Sequence, residues 1–196
     1  MIAKVPGLAV IVATYWPERG AAATTEVAIE LVEGCTSVPG ARCFVWAHYQ
    51  DPHGPYDPPP GSREMLLAEE RRAEDGARSL PVGPDHQGEG AIPRYQFMDD
   101  RREVAWYRAG YRAEVGYVDE QVGRLLNAVE ATGLADRTVV VFTADHGESL
   151  GEHGVWFAHG SRLTDAQVRV PLRVRIPGRE PMRREDPVSL LSLIHI

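Results

Sequence analysis

The sequence predicts an α/β fold in which a mostly parallel sheet carries helices on both faces. Three observations carry that prediction. Thr138-Val-Val-Val-Phe-Thr143 is apolar on both faces, as a central strand between helix layers must be. A long helical repeat precedes it, and helix, short turn and buried strand together make half of an α/β unit. The strand ends in Asp145-His146-Gly147-Glu148, placing ligand-type side chains at the carboxyl edge, where open α/β sheets bind their ligands.

The elements follow in chain order. Leu8-Ala-Val-Ile-Val-Ala-Thr-Tyr15 reads as a buried strand, or as the flank of a cut gene, rather than as a signal-peptide core. Val27, Ala28, Leu31 and Val32 have helical spacing between Thr24 and a stop at Gly34. Cys43-Phe-Val-Trp-Ala47 is a short apolar run with the character of a buried strand. Prolines and glycines then crowd residues 49–61, so the backbone must leave the sheet there, delivering His48 and His53 to a loop. Residues 62–105 are charged and loop-rich; they predict surface helix and excursion, and no chemistry is assigned to them, His86 included.

Tyr111, Val115, Val118, Val122, Leu125 and Val129 form one stripe of an amphipathic helix over about 106–131, packed on something flat. Gly133 ends it. A last strand is expected over 168–176, closed by Pro177-Gly178.

A net charge of -7 arises from scattered carboxylates and argues against a general nucleic-acid surface. No stretch is apolar for long enough to span a bilayer. Cys35 and Cys43 are too few for a disulfide framework and are not at zinc-ribbon spacing, which leaves them a structural or incidental role.

The chemistry concentrates after the strand ending at Thr143. Asp145 and His146 are a carboxylate and an imidazole side by side, a natural pair of ligands for a divalent metal. Glu148, Glu152, His153 and His159 follow between apolar segments, where titratable groups are costly unless paired or metal-bound. The spacing His146 to His153 is not the His-Glu-x-x-His of zinc proteases. Glu148 and Glu152 suit orienting or turn-capping roles, and His48 and His153 structural ones.

Thr143-Ala-Asp-His-Gly-Glu-Ser-Leu-Gly-Glu-His-Gly-Val-Trp-Phe-Ala-His-Gly160 resembles the carboxyl-side motif of sulfatases in the alkaline-phosphatase superfamily. Phe44-Val-Trp-Ala-His-Tyr-Gln-Asp-Pro-His-Gly-Pro-Tyr56 is similar to their second block, and Tyr117-Val-Asp-Glu-Gln-Val-Gly-Arg-Leu-Leu126 to the helix between the two. Val170-Pro-Leu-Arg-Val-Arg-Ile-Pro-Gly178 resembles the strand that follows. The resemblance implies a mixed, mostly parallel, alkaline-phosphatase-like sheet, incomplete at its amino-terminal side. It implies that Asp145 and His146 ligate a metal, calcium first, with magnesium or manganese as alternatives. His53 is then a sulfate contact and general acid, and His159 takes the anion-binding place that a lysine, one residue earlier, fills in many relatives; here that earlier residue is Ala158.

The family's nucleophile is a formylglycine made within Cys/Ser-x-Pro-x-Arg, after an Asp-Asp pair. Neither is expected within this chain. In Cys35-Thr-Ser-Val-Pro-Gly-Ala-Arg42 the proline and arginine fall at the wrong spacing, and Asp99-Asp100 follows no apolar strand. The expectation is therefore a sulfuric ester hydrolase in the intact protein, acting on a small-molecule or glycan sulfate ester, with these residues alone inactive. A phosphonate or phosphate ester hydrolase of the same superfamily, or a catalytically silent binding protein, is the alternative. Compartment stays open among periplasmic, secreted and cytoplasmic, and so does oligomeric state. Leu191-Ser-Leu-Ile-His-Ile196 equals one translation of a transposase end used in tagmentation libraries. Residues 1–190 are accordingly expected to be a partial catalytic domain and 191–196 an adapter artefact, with nothing resting on His195.

Overall fold

A computed structural model describes residues 8–13, 19–37, 40 and 42–190; the expectation for 191–196 lies outside the described residues. Strand β1 (Leu8–Ala13) pairs in parallel with β2 (Arg42–Ala47), and helix α1 (Ala21–Gly34) makes the crossover between them. The α/β character of the fold rests on this β-α-β unit. The Cα atoms of Cys35 and Cys43 lie 6.1 Å apart and the two thiols form a disulfide, joining the end of α1 to β2. That pairing was not foreseen from two isolated cysteines.

Helix α2 (Ser62–Glu70) and the long α3 (Val104–Ala131) follow, and α3 packs against both α1 and α2. After α3, β3 (Val140–Thr143) runs antiparallel to β6 (Leu172–Arg175), while the short β4 (Ser149–Leu150) and β5 (Trp156–Ala158) form a second antiparallel pair. The predicted final strand is therefore shorter at its start, because Asp165–Val168 form a helical turn, α4. Of the three strand pairs among the described residues, β1–β2 is parallel and the other two are antiparallel. No described helix is long and apolar enough to cross a membrane.

The core lies beneath the site. Tyr56, Leu80, Ile92, Val104, Trp106, Tyr107, Trp156 and Phe157 form one buried cluster, joining the Asp-Pro-His loop, the excursion, the start of α3 and β5. Each large side chain there removes enough apolar surface from water to contribute about 1.5–3 kcal/mol. Arg63 caps the cluster, its guanidinium lying 3.5 Å from the Trp106 ring centroid and donating to the Tyr56 carbonyl. The excursion thereby helps build the core as well as the surface.

Three burial expectations are corrected. β2 and β3 are exposed where buried strands were predicted: Phe44 is 47%, Trp46 53%, Val141 48% and Phe142 43% exposed. The α3 stripe is covered only in part, since Val129 is 6% exposed but Val115 44%, and the buried face also carries Tyr107, Gly110, Glu114 and Gln121. That face meets α1 by polar contacts, Thr25 Oγ1 donating to the Gln121 carbonyl at 3.5 Å and the Ala22 amide to the Tyr117 hydroxyl at 3.3 Å. The apolar faces were read correctly as apolar, but too few neighbouring strands and helices lie among the described residues to cover them.

Candidate functional site

The loop after β2 places His53. Its amide donates to the Gln50 carbonyl at 2.8 Å, and its Nδ1 donates to the Gly54 carbonyl at 2.8 Å. A carbonyl only accepts, so Nδ1 carries the proton and Nε2 is left uncommitted.

The turn after β3 places Asp145 and His146. Gly147 permits it: its amide donates to the Gln167 carbonyl at 2.7 Å, and a Cβ there would stand 2.1 Å from the Ala166 carbonyl oxygen. Asp145 Oδ1 accepts the His146 amide at 3.0 Å, His146 Nδ1 donates to the Gly147 carbonyl at 2.9 Å, and Nε2 lies 3.9 Å from Asp145 Oδ2. Two ligands each about 2.0–2.4 Å from one ion can be separated by that distance. The donor set therefore fits a divalent cation, but supplies two ligands only. No group of three or more candidate ligands occurs among the described residues.

Past β5, His159 faces both of these segments. Its Nδ1 donates to Glu148 Oε2 at 3.1 Å, and the Glu148 side chain is only 5% exposed. Glu148 Oε1 is buried without a partner. The Glu148 hydrogen bond outweighs burial and holds His159 above the ordinary imidazole pKa. The His146 and His159 rings stack at 3.9 Å between centroids, and His159 meets His53 edge-on at 5.2 Å. The fold thus gathers His53, His146 and His159 beside Asp145, all three imidazoles with Nδ1 hydrogen-bonded and, among the described residues, no hydrogen bond on Nε2.

Phe157 sets the approach of His159. Its φ of 52° is a left-handed conformation that a bulky residue adopts at a cost on the order of 1–3 kcal/mol. Burial offsets that cost: the ring is fully buried and stacks on Tyr107 at 4.8 Å. Its carbonyl accepts both the Tyr95 hydroxyl at 3.2 Å and Gln96 Nε2 at 3.3 Å.

Beside the histidines opens a cleft of ≈380 Å³ lined by His53, Gly54, Pro55, His86, Tyr95 and His159. His86 and Tyr95 were missed in the sequence. Neither belongs to a motif, and both lie in the excursion to which no chemistry was assigned. His48 and His153 stay outside the cleft. Glu152 Oε2 accepts the Leu150 amide at 2.7 Å, capping the β4 turn as expected.

The chain matches the family model described as Sulfatase over residues 12–195. It is 33% identical over 176 residues to iduronate 2-sulfatase of Homo sapiens, covering 80% of this chain and 30% of that protein. It is 37% identical over 100 residues to choline-sulfatase of Rhizobium meliloti (strain 1021), covering 50% and 19%. The structure is similar, at TM-score 0.59 and 20% identity, to a protein solved with its substrate D-glucosamine-2-N,6-O-disulfate, covering 82% of this chain and 43% of that one. It is also similar, at TM-score 0.57 and 24% identity, to a phosphonate monoester hydrolase from Silicibacter pomeroyi, covering 83% and 35%. These last two likenesses bear on the fold alone. The chain spans less than a third of the length of the named sulfatases.

Proposed function

This chain belongs to the sulfatase family, and from that premise we propose that it forms the carboxyl-side part of the catalytic centre of a sulfuric ester hydrolase. The observation that carries the proposal is the gathering of His53, His146 and His159 beside Asp145, with no hydrogen bond on any of the three Nε2 atoms among the described residues.

Asp145 and His146 are proposed as two of the ligands of a divalent metal, calcium first and magnesium or manganese as alternatives. When bound, such a cation supplies positive charge against the sulfuryl oxygens and the nucleophile. His159, kept protonated more readily by Glu148, contributes a second positive group for the anion. As the imidazolium, with its Nδ1 proton kept on the Gly54 carbonyl, His53 binds the sulfate and gives its Nε2 proton to the departing alkoxide. The formylglycine nucleophile and remaining metal ligands are proposed to lie in sequence outside these residues. Relatives named for iduronate and choline support a sulfate ester of glycan or small-molecule type as substrate.

The test is to assay the full-length protein carrying this segment on 4-nitrophenyl sulfate and on a phosphonate monoester. Sulfate ester turnover is expected, abolished by chelation. Asp145→Ala and His53→Ala should each lower kcat/KM by on the order of 10²-fold or more. Preference for the phosphonate would favour the second reading, a phosphonate or phosphate ester hydrolase. Unchanged rates in both variants would overturn the site.

A further inference from the structure

The rings at the site form a row. From His146 the centroid distances run 3.9 Å to His159, 5.2 Å on to His53, 6.2 Å on to Tyr95 and 5.3 Å on to His86. The metal-ligand pair is at one end. With the sulfate held near His159 and His53, the rest of the ester must extend along the cleft, and the groups that line it farther out are Tyr95 and His86.

We propose that Tyr95 and His86 form the leaving-group subsite and recognise a cyclic polyol, an inference that rests on the reading of His53 and His159 as the sulfate-side groups. Tyr95 is a fixed surface. Its hydroxyl is tied to the Phe157 carbonyl at 3.2 Å, so it lines the cleft with its ring and supports the His86 ring stacked on it. His86 is exposed, stacks on Tyr95 with 27° between planes, and its ring nitrogens bond to no other described residue. A flat aromatic surface packs against the C–H face of a saturated ring, and free imidazole nitrogens donate to and accept from hydroxyls. A cyclic polyol offers both features; an alkyl chain or an unsubstituted aryl group offers only the apolar one.

The bland reading is a solvated histidine on a loop, and the backbone around His86 opposes it. Ahead of it, the Gly83 amide bonds the Ile92 carbonyl at 2.8 Å and the Ile92 amide the Pro81 carbonyl at 2.8 Å. Behind it, the Trp156 amide bonds the Gly88 carbonyl at 2.8 Å and the Gly90 amide the Gly154 carbonyl at 2.9 Å. Gly88 approaches so closely, at φ +70°, that a Cβ would lie 2.3 Å from the Trp156 carbonyl oxygen. The loop is thus laced to the same segment that positions His159, and an anchored wall loses little entropy on binding.

Histidine-selective 13C NMR of the full-length protein carrying this segment, with inorganic sulfate, glucose 6-sulfate and 4-nitrophenyl sulfate as probes, tests the proposal. Inorganic sulfate is expected to shift His53 and His159 alone, and glucose 6-sulfate to shift His86 as well. His86→Ala should weaken glucose 6-sulfate about three- to tenfold, the loss of one or two ligand hydrogen bonds, and leave inorganic sulfate within about twofold. Tyr95→Phe, which keeps the ring, should weaken glucose 6-sulfate by less than His86→Ala. If sulfate shifts His53 and His159 but glucose 6-sulfate leaves His86 unmoved, or if 4-nitrophenyl sulfate binds tighter through His86, the subsite assignment fails alone. If no probe shifts His53 or His159, the underlying functional reading fails with it.

Discussion

Glu148 accepts a hydrogen bond from Nδ1 of His159 at 3.1 Å, across eleven residues of chain and the whole β4–β5 turn. The bond raises the His159 pKa, against the opposing effect of burial. A histidine raised on folding contributes stability that is complete below its unfolded pKa and is lost as pH rises through the folded value. Glu148→Gln should therefore move the His159 titration to lower pH by NMR. In thermal melts the parent's advantage over Glu148→Gln should be greatest in mild acid and shrink on the alkaline side.

Glu114 predicts a pH dependence through a raised carboxyl. It is 3% exposed on α3, and burial pushes its pKa up to about 8; the Asp57 amide that Oε1 accepts at 2.6 Å only partly opposes this. Folded Glu114 keeps its proton where the unfolded chain releases it. Stability is thus expected to fall between the ordinary carboxylate range and about pH 8 and then level off. Melting temperatures across that window should flatten in Glu114→Gln, which retains an oxygen for the Asp57 amide.

Gly147→Ala should displace the turn that carries Asp145 and His146, because the Ala166 carbonyl oxygen leaves no space for a Cβ. A loss of about 1–3 kcal/mol is expected from such overpacking, read by denaturant unfolding. His146 and His159 should lose their mutual ring-current shifts.

With only two proposed metal ligands and no nucleophile motif among these residues, the chain alone is expected not to hydrolyse 4-nitrophenyl sulfate. EDTA should leave its melting temperature unchanged. Steady turnover, or a marked fall in melting temperature on chelation, would contradict both expectations.

Val141 and Val174 face each other in the β3–β6 register and are each 48% exposed. An apolar sheet face of this kind favours self-association. Sedimentation should show concentration-dependent oligomers, and Val141→Thr with Val174→Thr should shift the distribution towards monomer.

Local signals made much of this protein legible. Proline and glycine in 49–61 marked the loop that carries His53, and the apolar run to Thr143 marked the strand that delivers Asp145 and His146. Gly133 ended α3 at φ +71°, as its position implied. The α3 stripe was legible as apolar, but that Val129 is buried and Val115 exposed was not, since burial depends on what lies opposite.

By itself, then, the sequence determined the element types, the family and the residues Asp145, His146, His53 and His159 as candidates, because periodicity, turn chemistry and motif spacing are properties of neighbouring positions. Only the tertiary structure decided that Glu148 holds His159, that Cys35 meets Cys43, and that His86 and Tyr95 extend the row of rings. The last of these rests on bonds between residues 62 or more positions apart, through backbone groups at Gly88, Gly90 and Phe157. No periodicity in the chain encodes such long-range pairings.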